Sequence, residues 1–210
     1  MSIHSLVTVF YTGVIALTSR KNEKYEAILE GALQVFAEHG FHRSQVSKIA
    51  RAAGVADGTI YLYFKRKEDI LIELFRSKLG ELIEKFTSGI ENVTDAREAL
   101  RRVCTIHYSE LEANVALAYV TQIELRQSDL ELRKEIGEAV KPYIKLIEDL
   151  LLKGIEQNVF RADLDVKLTR LLLFGAMDEV VTSWLISGRK YSLSAQVDST
   201  LKFFLQGIGN

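Results

Sequence analysis

The sequence predicts an all-α protein, with a small amino-terminal three-helix unit containing a helix-turn-helix and a larger helical unit behind it. Three observations predict this. From about residue 22 to residue 208, apolar residues recur at three- and four-residue spacing, and no stretch alternates with the period of a strand. Pro142 is the only proline, so long uninterrupted helices are allowed almost everywhere. Gly54 breaks the helical pattern between two short segments whose apolar residues can pack on one another. A chain of 210 residues, 48% of them hydrophobic, is long enough to bury a substantial core in one or two domains.

The expected organisation is an extension over residues 1–20, a helix-turn-helix domain over 21–67 with its motif at about 45–64, and a helical domain over 68–210. Leu6 to Leu17 is apolar, but shorter than the ~20 residues that span a membrane. No Lys or Arg precedes it, as an export signal requires. A variable extension, disordered or packed on a neighbour, is expected there, with no membrane association.

The first helix is predicted from about Asn22 to His39, with Tyr25, Ile28, Leu29, Ala32, Val35 and Phe36 as its apolar stripe. Gly40 ends it and Phe41 turns into the small core. Val46, Ile49, Ala50 and Ala53 then fall on one helical face. Gly54 stands where that helix must stop, at a position that requires positive φ. Beyond it, Ile60 and Phe64 are four apart and pack inward. Thr59, Tyr61 and Tyr63 therefore point elsewhere, on a short helix that also carries Gly58. A supporting helix, a tight turn and a presented helix are the layout that enters a DNA major groove. The charges agree. From His39 to Lys67 the basic residues are Arg43, Lys48, Arg51, Lys65, Arg66 and Lys67, against one acid, Asp57, in a chain of net charge −1. Such a local patch drives phosphate binding through counterion release.

A long helix follows from Lys67 to near Gly89, through Ile70, Leu71, Leu74, Phe75, Leu79, Leu82, Ile83 and Phe86; it mechanically links the two domains. Further helices are expected over Asp95–Ala113, Val115–Arg126, from a cap at Ser128 or Asp129 to about Asn158, over Asp165–Ile186 closed by Gly188, and over Ser194–Ile208. Pro142 should kink the one it interrupts. Cys104 has no partner for a disulfide and reads as a small core residue in a reducing, cytoplasmic setting. His4, His39, His42 and His107 have no metal-ligand spacing, so no metal and no cofactor are expected.

The middle helices set polar and aromatic residues within apolar stripes: His107, Tyr108, Tyr119, Gln122, Arg126 and Tyr143. Any one of them could be a satisfied core residue. Together they make a candidate small-molecule site, which Phe174 and Met177 extend. Gln122 and Arg126 share a face, and an Arg so placed needs an anion or a carboxylate, with Glu124, Asp129 and Glu131 as structural alternatives to a ligand. The last two helices are apolar over much of their surface, so a homodimer burying Gly175, Trp184, Leu201 and Phe204 is expected, though such residues could equally fill the chain's own core.

The run from Ala37 to Phe41 and on through Gly58 to Leu71 resembles the DNA-binding domain of the TetR family of repressors, over roughly residues 22–71. Ala56 departs from it, since the family often has Ser there as a helix cap; Asp57 could partly compensate. The resemblance implies a dimer on palindromic double-stranded operator DNA. Arg43, Lys48, Lys65 and Lys67 would hold phosphates, Ser44 and Gln45 would anchor the supporting helix to the DNA backbone, and Gly58, Thr59, Tyr61 and Tyr63 would meet bases or backbone. Val120–Ser128 and Phe174–Trp184 are similar to a branch of that family that represses fatty-acid degradation genes in Gram-positive bacteria. That similarity implies release from DNA by a long-chain acyl-coenzyme A, with Arg101, Arg102 and Arg133 beside Arg126 as candidates for its phosphates. Composition alone would not point to this ligand.

Other readings predict different observations. A TetR-type repressor answering a drug, a quorum signal or a free fatty acid would show no dependence on coenzyme A. An enzyme would need a phosphate loop, a nucleophile elbow or a metal cluster, and the sequence has no such motif. An interaction protein that has lost DNA binding would show weak, salt-insensitive DNA association.

Overall fold

The computed structural model describes residues 23–209, so the expectations for residues 1–20 lie outside the described residues. The chain divides into two compact units after Leu74, inside a helix rather than at its start.

In the first unit, α1 covers residues 23–39, α2 Val46–Ala52 and α3 Asp57–Ile60, and α4 begins at Lys67. The stripe read from the sequence is the core. Ile28, Leu29, Ala32, Leu33 and Phe36 are buried with Phe41, Ile49, Ala50, Ile60 and Phe64. Gly54 has φ of +65°, which costs an L-residue with a side chain strain but glycine none. Gly31 serves close approach instead: a Cβ there would lie 2.8 Å from the Ala53 nitrogen and 3.1 Å from the Ile49 oxygen. Ala56 caps α3 without any side-chain hydrogen bond, and Asp57 supplies the first-turn negative charge.

α4, Lys67–Ile90, is unbroken through the division. The second unit continues with α5 (Ala96–Ala113), α6 (Val115–Ile123) and a 3-10 turn at Glu124–Arg126, which ends α6 earlier than the periodicity suggests. Then come α7 (Leu130–Glu156), α8 (Val166–Ile186) and α9 (Val197–Ile208). Their starts are chemically marked. Asp95, Asn114, Asp129 and Asp165 each accept backbone N–H groups of the helix that follows. Pro142 sits inside α7, and the helix continues past it to Glu156. α5 lies against α6, α7 and α9, and α8 against α6 and α7. Val103, Cys104, Tyr108, Ile136, Ile147, Leu173 and Val181 are among the buried residues of this unit.

Among the described residues there is no strand, only an isolated bridge between Phe160 and Gly209. No helix among the described residues is long and apolar enough to cross a membrane.

Trp184, Leu201 and Phe204, expected in a dimer interface, are buried within the single chain, at 3%, 0% and 8% exposure. The Trp184 indole Nε1 donates to the Tyr191 carbonyl at 2.9 Å. Apolar periodicity alone could not separate burial inside one chain from burial between two. Of that set only Gly175 lies on the surface. The exposed large apolar side chains of these two helices are Leu168, Leu171, Leu172 and Ile186 of α8 and Phe203 of α9.

Candidate DNA-binding surface and effector cavity

On the first unit, Arg43, Gln45, Lys48, Gly58, Tyr61 and Lys65 are exposed and Thr59 is half-buried. Arg43 Nε donates to the His39 carbonyl at 3.0 Å, and Lys48 Nζ lies 3.2 Å from His39 Nε2. Tyr63 is half-buried, its ring 6.2 Å from that of Tyr25, so its face is partly committed to the core.

Two expected phosphate residues are placed differently. Ser44 is buried, and its hydroxyl donates to the Gly40 carbonyl at 2.7 Å and the Val35 carbonyl at 3.2 Å. It ties the end of α1 to the start of α2. Lys67 Nζ donates to the carbonyls of Phe41, Ser44 and His42 at 2.7, 3.0 and 3.3 Å and lies 4.4 Å from the Phe41 ring centre. With three protons on three carbonyls, this ammonium closes the α1–α2 turn. Leu62 was not foreseen. It is 80% exposed beside Tyr61, on the side away from Ile60 and Phe64. The same periodicity that turns Tyr61 outward turns Leu62 outward as well.

The second unit contains a cavity of about 30 Å³ walled by Phe75, Leu79, Leu82, Leu111, Leu117, Leu125, Val140 and Phe174. That is room for a couple of water molecules. Its polar margin is Lys78, His107, Thr121, Gln122, Tyr143 and Asp178. Of the residues expected to bind ligand, the structure brings His107, Gln122, Tyr143 and Phe174 to this cavity. Tyr108, Tyr119 and Met177 do not line it. Tyr108 is buried, with its hydroxyl 3.2 Å from that of Thr200 on α9. Met177 is a core residue, and Tyr119 is exposed.

Arg126 adjoins the cavity through its partners. Its guanidinium donates to the Gln122 carbonyl at 2.9 Å and to Asp178 Oδ2 at 2.8 Å. The carboxylate partner is therefore Asp178, fifty-two residues away, and not Glu124, Asp129 or Glu131. Asp178 is buried while Arg126 is 59% exposed. Burial pushes the Asp178 carboxyl up, against the hydrogen bonds from Arg126 and Gln122. An acid within the apolar run of α8 was the available signal for this residue, since a buried carboxylate must find a partner. Gln122 links the group further, donating to Asp178 at 3.3 Å and accepting from Thr182 at 3.1 Å.

Arg101, Arg102 and Arg133 do not line the cavity. Arg101 pairs with Asp198 of α9. Arg102 donates to the Gly89 carbonyl at the end of α4 and to Glu98. Arg133 is exposed in α7.

Deeper in the wall, Tyr143 hydroxyl lies 3.3 Å from His107 Nδ1, and the Tyr143 ring meets those of Phe86 and Phe174 at 5.0 and 5.5 Å. Burial pushes the His107 ring down to about 4, so it is neutral at ordinary pH, and pushes the Tyr143 phenol well up. The arrangement offers no nucleophile–base pair. It offers a narrow apolar space with a cation at its edge.

Residues 28–74 match the bacterial regulatory proteins of the tetR family, and residues 75–207 match the C-terminal region of YsiA-like proteins. The chain is 48% identical over 191 residues to the fatty acid metabolism regulator protein of Bacillus subtilis (strain 168), across 91% of this chain and 98% of that one. Among solved structures it is similar to the transcriptional regulator FadR from Bacillus subtilis in complex with stearoyl-CoA, with a TM-score of 0.85 and 48% identity over 88% of this chain and 99% of that one. The fatty acid degradation regulator FadR from Bacillus halodurans gives a TM-score of 0.84 at 48% identity, over 87% of this chain and 98% of that one. With a helix-turn-helix whose turn glycine, core and exposed basic face are all in place, this chain belongs to the TetR family of bacterial regulatory proteins.

Proposed function

We propose that this protein is a cytoplasmic repressor of fatty-acid degradation genes that binds palindromic operator DNA as a homodimer and leaves it when long-chain acyl-CoA binds. The observation that carries the effector is the apolar cavity of the second unit, in a chain 48% identical to a regulator crystallised with stearoyl-CoA. Its walls suit an acyl chain and nothing ionic. Lys78 on its lining, and Arg126, which adjoins it through Gln122 and Asp178, are the cations placed to meet phosphates of coenzyme A.

The cavity is far too small for a long acyl chain as it stands. Ligand entry must therefore part the helices that wall it, and α4 is one of them through Phe75, Leu79 and Leu82. The same helix continues into the DNA-binding unit. The effector binds the opened state better, and DNA the closed one. DNA affinity falls by the effector's differential affinity for the two. The exposed stripe of Leu168, Leu171, Leu172 and Ile186 on α8, with Phe203 on α9, supports self-association. A twofold dimer presents two recognition helices about 34 Å apart to two half-sites. In the protein–DNA contact, Arg43, Lys48 and Lys65 meet phosphates, Gln45 anchors the supporting helix, and Gly58, Thr59, Tyr61 and Tyr63 face the groove.

The test is fluorescence anisotropy on DNA fragments from upstream of this gene and of fatty-acid degradation genes, with and without long-chain acyl-CoA. Release by the thioester, but not by free fatty acid or coenzyme A alone, is expected. Specific DNA binding that ignores the thioester discards the effector and keeps the repressor.

A further inference from the structure

All six polar side chains lining the cavity make hydrogen bonds, and five of them show no buried atom without a partner. Lys78 Nζ donates to Glu81 at 3.0 Å. Thr121 donates to the Leu117 and Ala118 carbonyls at 2.9 and 3.2 Å. Gln122 uses its amide on Asp178 and its carbonyl on Thr182. Asp178 takes Arg126 and Gln122, and the Tyr143 hydroxyl is at His107 Nδ1. The sixth is His107, only 5% exposed, whose Nε2 is buried with no hydrogen-bond partner. A buried ring nitrogen is costly to leave unpaired. The Tyr143 O–H can donate to Nδ1, and in that tautomer the neutral imidazole carries its proton on Nε2. Among the side chains that line the cavity, His107 thus contributes a neutral N–H without a partner, beside apolar walls.

We propose that His107 Nε2–H receives the acyl carbonyl oxygen of the effector, and that by this bond the cavity takes a neutral thioester and refuses the corresponding carboxylate. The inference rests on the acyl-CoA reading above and adds the part of the molecule that is recognised. An acyl chain leaving an apolar space presents the thioester carbonyl as its first polar atom. That oxygen is an acceptor without charge, which a neutral N–H matches. A free fatty acid would bring a carboxylate to the same place. It would lose its water, meet a neutral donor, and share the lining with the buried Asp178 carboxylate, while the Lys78 ammonium on the same lining is held by Glu81. Arg126, the nearby cation, is already paired with Asp178.

The test uses the purified full chain and three ligands of one chain length: stearoyl-CoA, its thioether analogue S-octadecyl-CoA in which a methylene replaces the carbonyl, and stearate. Titration calorimetry on the wild type should show the thioester bound about tenfold more tightly than the thioether, one hydrogen bond's difference. Stearate should bind more weakly than either. In His107→Phe, which keeps a ring and loses the donor, the thioester should drop to the thioether's affinity. Equal binding of thioester and thioether by the wild type overturns the proposal without any variant and leaves the acyl-CoA reading intact. So does a tenfold preference that survives in His107→Phe. Stearate binding as tightly as the thioester overturns it too. Failure of all three ligands to bind removes the acyl-CoA reading and this inference together.

Discussion

Replacing Lys67 with Met tests whether this ammonium belongs to the fold or to DNA. The structure gives it two short hydrogen bonds, to Phe41 and Ser44 carbonyls at 2.7 and 3.0 Å, a longer one to His42 at 3.3 Å, and the Phe41 ring face at 4.4 Å. A hydrogen bond to a charged group contributes about 1.5–3 kcal/mol, and an exposed cation–π contact about 0.5–1 kcal/mol. The carbonyls can rehydrate when the lysine is gone, so the lower ends apply to the two short bonds and the ring contact, and the loss should be about 3.5 kcal/mol. For a chain of this length each kcal/mol shifts the melting midpoint by about 2–4 °C, which gives a drop of about 7–14 °C. The assay is a thermal melt, paired with operator binding across a salt series. The salt slope should stay as in the wild type, because no phosphate contact has been removed. A variant that melts within about 1 °C of the wild type, while its salt slope falls by about one unit, would refute the structural role and restore Lys67 to a phosphate.

Gly54→Ala should lose about 1–2 kcal/mol from backbone strain alone, since φ is +65° and no atom stands within 4 Å of the added Cβ; a urea melt reads it. Cys104 should resist thiol reagents at pH 8 in the folded chain and react once unfolded, because burial pushes its thiol up to about 12 and leaves no exposed thiolate. His107 titrates at about 4 folded against 6.5 unfolded, so the unfolded chain binds the extra proton first. Its contribution is fully present above pH 6.5 and is lost as pH falls toward 4. His107→Gln should flatten the melting midpoint over that window. Leu171→Glu, at an exposed site on α8, should leave the chain folded and shift it from dimer to monomer in sedimentation, with loss of operator binding.

The helices were legible because each carries its own punctuation. Asp95, Asp129 and Asp165 cap starts, Gly40 and Gly188 close ends at positive φ, and the apolar stripe of α1 is the stripe that packs. What sequence spacing could not carry was partnership across the chain. Arg126 plainly needed an anion, but local spacing offered Glu124, Asp129 and Glu131, whereas Asp178 arrives from α8 only when the fold closes. Ser44 and Lys67 had the chemistry of phosphate ligands, and their targets turned out to be carbonyls of the α1–α2 turn. Trp184 and Phe204 face the core while Leu171, Leu172 and the equally large Phe203 lie outside, a division set by helix face and not by residue size. The cavity was half legible. His107, Gln122, Tyr143 and Phe174 stood out as polar or aromatic breaks, while Phe75, Leu79 and Leu82 of α4 looked like ordinary core.

The central claim is that effector and operator bind different states of one molecule, and reciprocity tests it most directly. The affinity of the full chain for long-chain acyl-CoA would be measured alone and with saturating operator DNA. If the account holds, operator weakens acyl-CoA binding by the same factor by which acyl-CoA weakens operator binding, as linkage requires. Acyl-CoA bound with unchanged affinity to the DNA complex would contradict it, because the cavity and the helix-turn-helix would then report no common equilibrium.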